Sequence, residues 1–418
     1  LVRIAEDVSD MNKNWKKNIT LFLASQTISL FGSMLVQYAI TWYITLKTQS
    51  GVMMTVSIIC GFLPTFFLSP FAGVWADRYS RKVLIILSDT MIAMATLVLA
   101  ILFYMGYEAV WLLFVISAIR ALGSGIQTPA VGAFLPQLVP EDKLTKVNAT
   151  NSSIQSVITL VSPMISGALL TMATIETIFF IDIITAAIAV LILLLFLHVP
   201  AHAKALNEQT MSYFSDMRQG FAYIKNHGFV RTIFSFIAIY FILIAPVAFL
   251  TPLLVARSFG EDVWRLTAIS VVYSVGMMVG GVIVALWRGF KNKVHSMALS
   301  ILIIGGCTFV LGITSVFWTY LFFMGLIGIA MPFFNTPFTV LLQEKVEGDF
   351  LGRVFGVLVM ISSITMPLAM LVYGPIADIM KIEWLLIGTG LLMLAQSLFM
   401  IANKELITAG KPVLESER

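Results

Sequence analysis

Charge is scarce in this sequence. Only 11% of its 418 residues are Asp, Glu, Lys or Arg, against roughly 25% in a soluble domain. Of the whole, 59% is hydrophobic and the mean hydropathy is +0.95. A water-exposed fold cannot hide that much apolar side chain, so the solvent must be largely lipid. Cysteine is nearly absent too. Cys60 and Cys307 both lie inside apolar runs, which argues against a disulfide framework or a thiolate metal site. Of the four histidines, only His198 and His202 have a ligand-like spacing, and His227 and His295 stand apart; no metal is expected. There is no Gly-x-x-x-x-Gly-Lys-Ser/Thr loop for a built-in ATPase. No nucleophile–base or metal cluster stands among the apolar segments, so neither an enzyme nor a cofactor is expected. The net charge of +4 is modest and its basic residues sit in short connections, which excludes a nucleic-acid-binding face.

What is there is long apolar segments. A spanning helix needs about 20 mostly apolar residues, and twelve such stretches are legible: 19–46, 51–75, 83–105, 109–136, 149–172, 176–198, 229–256, 263–287, 295–315, 318–342, 354–377 and 383–403. No cleavable signal peptide is visible, and residues 1–10, ahead of Met11, are given no structural role. With both termini cytoplasmic, the inside segments hold 21 of the 26 Lys and Arg residues, and the outside loops only Lys47, Arg257, Arg265 and Lys381. The positive-inside rule therefore selects that orientation. The longest polar stretch divides the spans six and six. The expected parts are a cytoplasmic segment 1–18, a bundle 19–198, a linker 199–228, a second bundle 229–403 and a tail 404–418. The linker's alternating apolar and charged residues fit either an amphipathic helix on the inner membrane surface or a solvated connection.

An internal repeat supports this division. Gln127-Thr128-Pro129 in the fourth span matches Asn335-Thr336-Pro337 in the tenth. The loops that follow, from Asp142 to Val147 and from Asp349 through Gly352 and Arg353 to Val354, match with a one-residue slip, and spans bearing Pro163 and Pro367 come next. Three matches in order read as duplication of a six-helix unit. The fold class is an all-α membrane protein, twelve transmembrane helices in two six-helix bundles. Pro246 and Pro252 are expected to bend the seventh span, and Pro332 and Pro337 the tenth.

Polar stripes mark the faces that avoid lipid. Gln26, Ser29, Ser33, Gln37 and Thr41 recur at helical spacing in the first span, Ser117, Arg120, Ser124 and Gln127 in the fourth, and Asn148, Ser152, Gln155, Thr159, Ser162 and Ser166 in the fifth. Small hydroxyls alone would serve helix packing, but the long amides and the arginine favour a hydrated cavity. Tyr273, Met277, Phe333, Phe334 and Asn335 are candidates for the second bundle's share of its wall. Arg120 lies about 16 Å deep, near the bilayer middle, by helical rise, and a charge there needs a partner. Asp89 and Asp182 are the acidic residues well within spans. Helical side chains lean toward the N-terminus, which turns Arg120 toward Asp182 and away from Asp89. Its counterpart in the repeat is Gly328.

The connection after the second span reads Gly73-x-x-x-Asp77-Arg78-x-x-Arg81-Lys82. Gly73 is expected to allow close helix approach, and Asp77 to interact with the positive N-terminal end of the third span. This spacing resembles the signature loop of the major facilitator superfamily, and Arg120 followed by Gly125 resembles its fourth-helix arginine motif. Asn14-Trp15, Leu63-Pro64, Thr128-Pro129, the surroundings of Asp89 and Asp182, and the run from Leu341 to Lys345 through Leu351-Gly352-Arg353-Val354-Phe355 resemble its macrolide-efflux-like drug/proton antiporters. The similarity covers about residues 11–404. The sequence departs from the antiporter pattern at Ser162 and Ser166, where glycines are expected, and has no acidic residue in the first span.

The resemblance implies a monomeric exporter of a small amphipathic molecule in a bacterial inner membrane, exchanging its cargo for protons by alternating access. Asp182, Arg120 and Asp89 would then couple the proton. Gly73, Asp77, Arg78, Arg81 and Lys82, with Gly352 and Arg353 in the second half, would govern switching. Export of a siderophore or lipid, or a non-transporting subunit or sensor, are the alternatives. The topology has a direct test. In a background lacking Cys60 and Cys307, single cysteines at Ser80 and Ser215 should react with an impermeant thiol reagent only from the cytoplasm, and one at Ser258 only from outside. Reaction of the Ser215 position in intact cells would end the termini-inside arrangement.

Overall fold

The computed structural model describes residues 2–197, 213–287 and 289–411. Backbone buried in hydrocarbon must satisfy its own hydrogen bonds, and the chain does so with helices. They are α1 (Val2–Thr48), α2 (Gly51–Arg78), α3 (Arg81–Tyr104), α4 (Val110–Leu138), α5 (Leu144–Met172), α6 (Ile175–Leu195), α7 (Tyr213–Asn226), α8 (Gly228–Phe249), α9 (Thr251–Ser258), α10 (Val263–Trp287), α11 (Lys293–Leu311), α12 (Phe317–Lys345), α13 (Gly348–Ile379), α14 (Ile382–Ala402) and α15 (Lys404–Ala409). Among the described residues, twelve helical segments are long and apolar enough to cross a membrane, with α8 and α9 together forming one. The chain is a multi-pass membrane protein of twelve spans. Helix α1 runs back to Val2, through residues to which no structural role was assigned. The expected proline bend in the seventh span is a break: α8 stops at Phe249 and α9 starts at Thr251, with Pro252 in its first turn. Pro252 has no N–H to donate and disfavours helical backbone just before it, so the helix restarts there. Pro129, Pro136, Pro332 and Pro337 stay inside unbroken helices.

The chain forms two compact units. The first holds Leu1–Ile44 and Val56–Thr210, and the second Thr45–Thr55 and Met211–Arg418. In the first, α3 packs against α4 and α6. One apolar cluster gathers Leu35, Ile40, Leu99, Leu113 and Phe179; another gathers Phe22, Ile85, Phe134 and Leu193. Phe22 meets Phe134 edge to face at 5.1 Å.

The second unit relies on bare backbone. In α10, Gly276 faces the carbonyl of Gly325 and the Cα of Gly328 in α12, and Gly280 faces Ile329. This is the small-residue spacing that lets membrane helices touch where burial offers little driving force between them. Gly305 of α11 and Gly390 of α14 repeat the device. Helix α7 joins this unit by packing on α13 and α8, and Tyr223 stacks on Phe350 at 4.7 Å. Residues 199–212 of the expected linker, and residue 198 before it, lie outside the described residues.

The second unit also holds the start of α2. Asp378 of α13 accepts from Gly51 N (2.7 Å), Val52 N (3.0 Å), Ser50 Oγ (2.7 Å) and Arg257 Nη2 (2.7 Å). A carboxylate from another helix thus does the work of an N-cap and meets the positive end of the helix dipole.

The glycine contacts set a prediction. Gly276→Val inserts side-chain atoms where backbone already stands, an overpacking that costs about 1–3 kcal/mol. Gly281→Ala, beside Gly280 but with open space around its Cβ position, should be neutral. Melting followed by size-exclusion chromatography should separate the two, and equal melting temperatures would contradict the close packing.

Candidate functional site

Arg120 projects from the middle of α4 and is 7% exposed, and Asp182, seven residues into α6, is fully buried. The structure sets them in direct contact, Arg120 Nη1 to Asp182 Oδ2 at 2.5 Å. Neither ion stands alone with the other. Thr96 of α3 donates to the same carboxylate oxygen at 3.1 Å and also receives Arg120 Nη1. Arg120 Nη2 donates to the Ser33 carbonyl of α1 at 3.2 Å, and Ser33 Oγ donates to Asp182 Oδ1 at 3.4 Å. Gly32 lets α1 approach this closely, because a Cβ there would overlap Thr185 Oγ1 and crowd Asp182. Four helices therefore meet around one guanidinium. Desolvating two ions is tolerable only when the remaining donors and acceptors are met in this way.

Asp89 is arranged differently. It is 2% exposed, and no cation is recorded against it among the described residues. Its Oδ1 accepts from Ser29 Oγ and Gln127 Nε2, both at 2.7 Å, and its Oδ2 is buried without a partner. Asp89 and Thr96 stand seven residues apart on α3, two turns along one face.

A cavity of about 550 Å3 opens beside these groups, lined in the first unit by Gln26, Ser29, Ser33, Gln37, Arg120, Gln127 and Gln155 among others. Four of the five residues in the first span's stripe and all four of the fourth's line this wall, but only Gln155 and Thr159 of the fifth's; Ser166 is buried and donates to the Leu35 carbonyl of α1 at 3.1 Å. Its polar atoms are amides and hydroxyls, and Arg120 is its one formally charged lining residue. The candidates of the second half sit elsewhere, within their own unit. Phe334 is buried and stacked on Tyr240 at 4.5 Å, Phe333 leans on Trp287, Tyr273 is half-buried, and Met277 and Asn335 are exposed.

The Asp77 connection is tighter than a loop. Helix α2 runs to Arg78 and α3 starts at Arg81, leaving two residues between. Arg81 donates from Nε to Ala76 O (3.1 Å) and from Nη1 to Ala133 O (2.8 Å), which ties α2, α3 and α4. Lys82 Nζ reaches the Leu197 carbonyl at 2.7 Å, just beyond the C-terminal end of α6, where a cation is favoured. Arg78 is exposed. The close approach expected at Gly73 is absent: no described atom lies within 4 Å of where its Cβ would be, and the same holds for Gly352. Arg353 lies over the Phe350 ring at 5.4 Å. The side chain of Asp77 lies outside the described part of the structure.

Two features of this arrangement escaped the sequence. Thr96 gave no sign beyond its spacing from Asp89. The Arg257–Asp378 clasp did have one, since Arg257 is among the few basic residues expected in the outer loops.

The model of the Major Facilitator Superfamily matches residues 22–370. Macrolide efflux protein A of Streptococcus pyogenes is 28% identical over 386 residues, covering 91% of this chain and 95% of that protein. The staphyloferrin A transporter of Staphylococcus aureus is 26% identical over 216 residues, 51% of this chain and 53% of that one. A crystal structure of a mutant nucleoside transporter NupG superposes with a TM-score of 0.70 at 16% identity, over 95% of this chain and 100% of that chain. With the family model spanning most of the sequence and the twelve-span fold shared, the chain belongs to the major facilitator superfamily of membrane transporters.

Proposed function

We propose that this transporter exports a small amphipathic molecule, of macrolide-like chemistry, in exchange for protons by alternating access. The observation that carries the reading is the pair of buried carboxylates beside one polar cavity, Asp182 held by a guanidinium and Asp89 held by none. Asp89 accepts from two neutral donors that themselves line the cavity, Ser29 and Gln127, and it is the second carboxylate at which a proton enters the exchange. At Asp182 a proton would cancel the charge that holds Arg120. The guanidinium would then lose its ionic partner, and with it the node that fixes α1, α3, α4 and α6 around the cavity wall. That coupling of protonation to helix arrangement is what an exchange mechanism requires. A wall of amides and hydroxyls around one guanidinium suits a cargo rich in oxygen acceptors and hydroxyls. The relation to macrolide efflux protein A supports the antibiotic class and the outward direction. The charge bias supports cytoplasmic termini, and with them a cytoplasmic Asp77 connection that governs switching. A second reading, export of a siderophore, is favoured by the relation to the staphyloferrin A transporter.

Two substitutions follow. Asp77→Asn should slow transport while leaving substrate affinity within a few-fold, because its connection stands apart from the cavity; loss of binding in a well-folded variant would show that its role is misplaced. The sharper test is at the ion pair. Removing one partner leaves a buried charge and costs about 3–5 kcal/mol, so Asp182→Asn alone should reduce folded protein. The double variant Asp182→Asn with Arg120→Gln removes both charges and should regain stability. In proteoliposomes it should bind and exchange cargo down its gradient yet ignore an imposed pH difference. Full pH-driven efflux by that variant would refute the role of Asp182 and leave Asp89 as the proton site.

A further inference from the structure

Asp182 is fully buried, so a proton reaches its carboxylate only through a group that touches it. Among the described residues, three side chains do. Arg120 Nη1 and Thr96 Oγ1 both bond to Oδ2, and Ser33 Oγ bonds to Oδ1 at 3.4 Å. Two of the three cannot bring a proton in from the cavity. Arg120 lines it but does not give up a proton. Thr96 can exchange one, yet it is fully buried and is not part of the cavity wall. Ser33 meets both conditions. It is half-buried and lines the cavity, and its hydroxyl donates one proton and accepts on two lone pairs. It also stands on the carboxylate oxygen that the guanidinium leaves free.

The surroundings of Ser33 fit that task. Gly32 brings α1 against the carboxylate, where a Cβ would stand 3.0 Å from Oδ1. The Ser33 carbonyl accepts from Arg120 Nη2 at 3.2 Å, so one residue of α1 meets both ions of the pair. Its hydroxyl bond is long, and a hydroxyl that turns between two partners cannot be clamped to one. The pattern recurs one turn earlier. Ser29 Oγ donates to Asp89 Oδ1 at 2.7 Å and lines the same cavity, so α1 supplies each buried carboxylate with one hydroxyl from the wall. The charged groups around Ser33 are Arg120 and Asp182, with Asp89 two turns from Thr96 along α3. Helix α1 has no charged residue between Lys17 and Lys47, and α2 and α5 carry theirs at one end.

We infer that Ser33 is the relay by which a proton passes between the cavity and Asp182, a role that rests on the reading of Asp182 as a site of proton exchange. A polar cavity of this size admits water. On loading, Ser33 Oγ takes a proton from a hydronium in the cavity as its own hydroxyl proton moves to Asp182 Oδ1. One O–H bond forms and one breaks at Oγ. The carboxylate becomes a carboxylic acid, a water is left in the cavity, and the hydroxyl is regenerated. Release runs the same steps backward.

A relay sets a rate and leaves the end point alone, which separates it from a structural role. The full-length protein in nanodiscs is jumped from neutral to acid pH, and the carbonyl band of protonated Asp182 is followed by time-resolved infrared difference spectroscopy. The band is assigned by its loss in the double variant Asp182→Asn with Arg120→Gln. Ser33→Ala should reach the same final amplitude about a hundredfold more slowly, the usual weight of a positioned group in proton transfer. Ser33→Thr, which keeps a hydroxyl, should recover most of the rate. An unchanged rate in Ser33→Ala would overturn the inference, and so would slowing that Ser33→Thr shares in full. Should Ser33→Ala fail to fold, Ser33→Cys in a background lacking Cys60 and Cys307 decides. Its thiol should pass protons until capped with methyl methanethiosulfonate on the folded protein; a rate indifferent to capping, or a thiol that the reagent never reaches, would count against the relay. If the wild-type protein shows no Asp182 band at any pH it withstands, Asp182 itself is not the proton site, and the relay falls with it.

Discussion

A guanidinium in the middle of a bilayer is the constraint around which the first unit is built. A charge at the helix centre costs about 2.5–3.5 kcal/mol even by lenient insertion scales, and Arg120 cannot shed its proton to escape that cost. Every helix that touches it therefore contributes something: a carboxylate from α6, a hydroxyl from α3, a backbone carbonyl from α1. Gly32 follows from the same demand, since only a bare backbone brings the carbonyl of the next residue close enough. Stability and sensitivity are then the same property. A node satisfied by four helices is rigid while its charges stand, and it loosens all four when one charge is cancelled.

The contrast with Asp89 gives the site its direction. Two carboxylates of the same bundle lie near one cavity, one paired with a cation and one accepting only from a serine and a glutamine. Gln127 links Asp89 to the cavity, because its amide both lines that cavity and holds the carboxylate.

Much of the fold was legible because lipid imposes so strict a rule on sequence. Twelve apolar runs became twelve spans, and the polar stripes of the first and fourth spans, with part of the fifth's, converged on one cavity because helical period alone decides which face they share. The turn of Arg120 toward Asp182 was legible for a related reason, since side-chain lean in a helix has a fixed sense. What escaped was set by distant contacts. Asp378 sits at the far end of α13 and caps α2, more than three hundred residues earlier; no local pattern announces a cap supplied by another helix. The break at Leu250 was read as a bend, because Pro252 fixes where a helix can restart but not whether the chain closes the gap. Gly73 misled in the opposite way: close helix contact was expected, but the space beside it is open.

The expected sequence repeat puts different residues at matching places, Arg120 in the fourth span and Gly328 in the tenth. At Gly328 any Cβ would strike the Tyr273 carbonyl and stand 3.2 Å from both Gly276 Cα and Met277 N. An arginine at Gly328 would require α10 to withdraw from α12, at the cost of the contact that holds them. The two copies have diverged past the point of easy exchange. Whatever ancestor they shared, mutation now explores buried charge in one half and helix spacing in the other, and a family descended from this chain would inherit its electrical asymmetry as a matter of geometry.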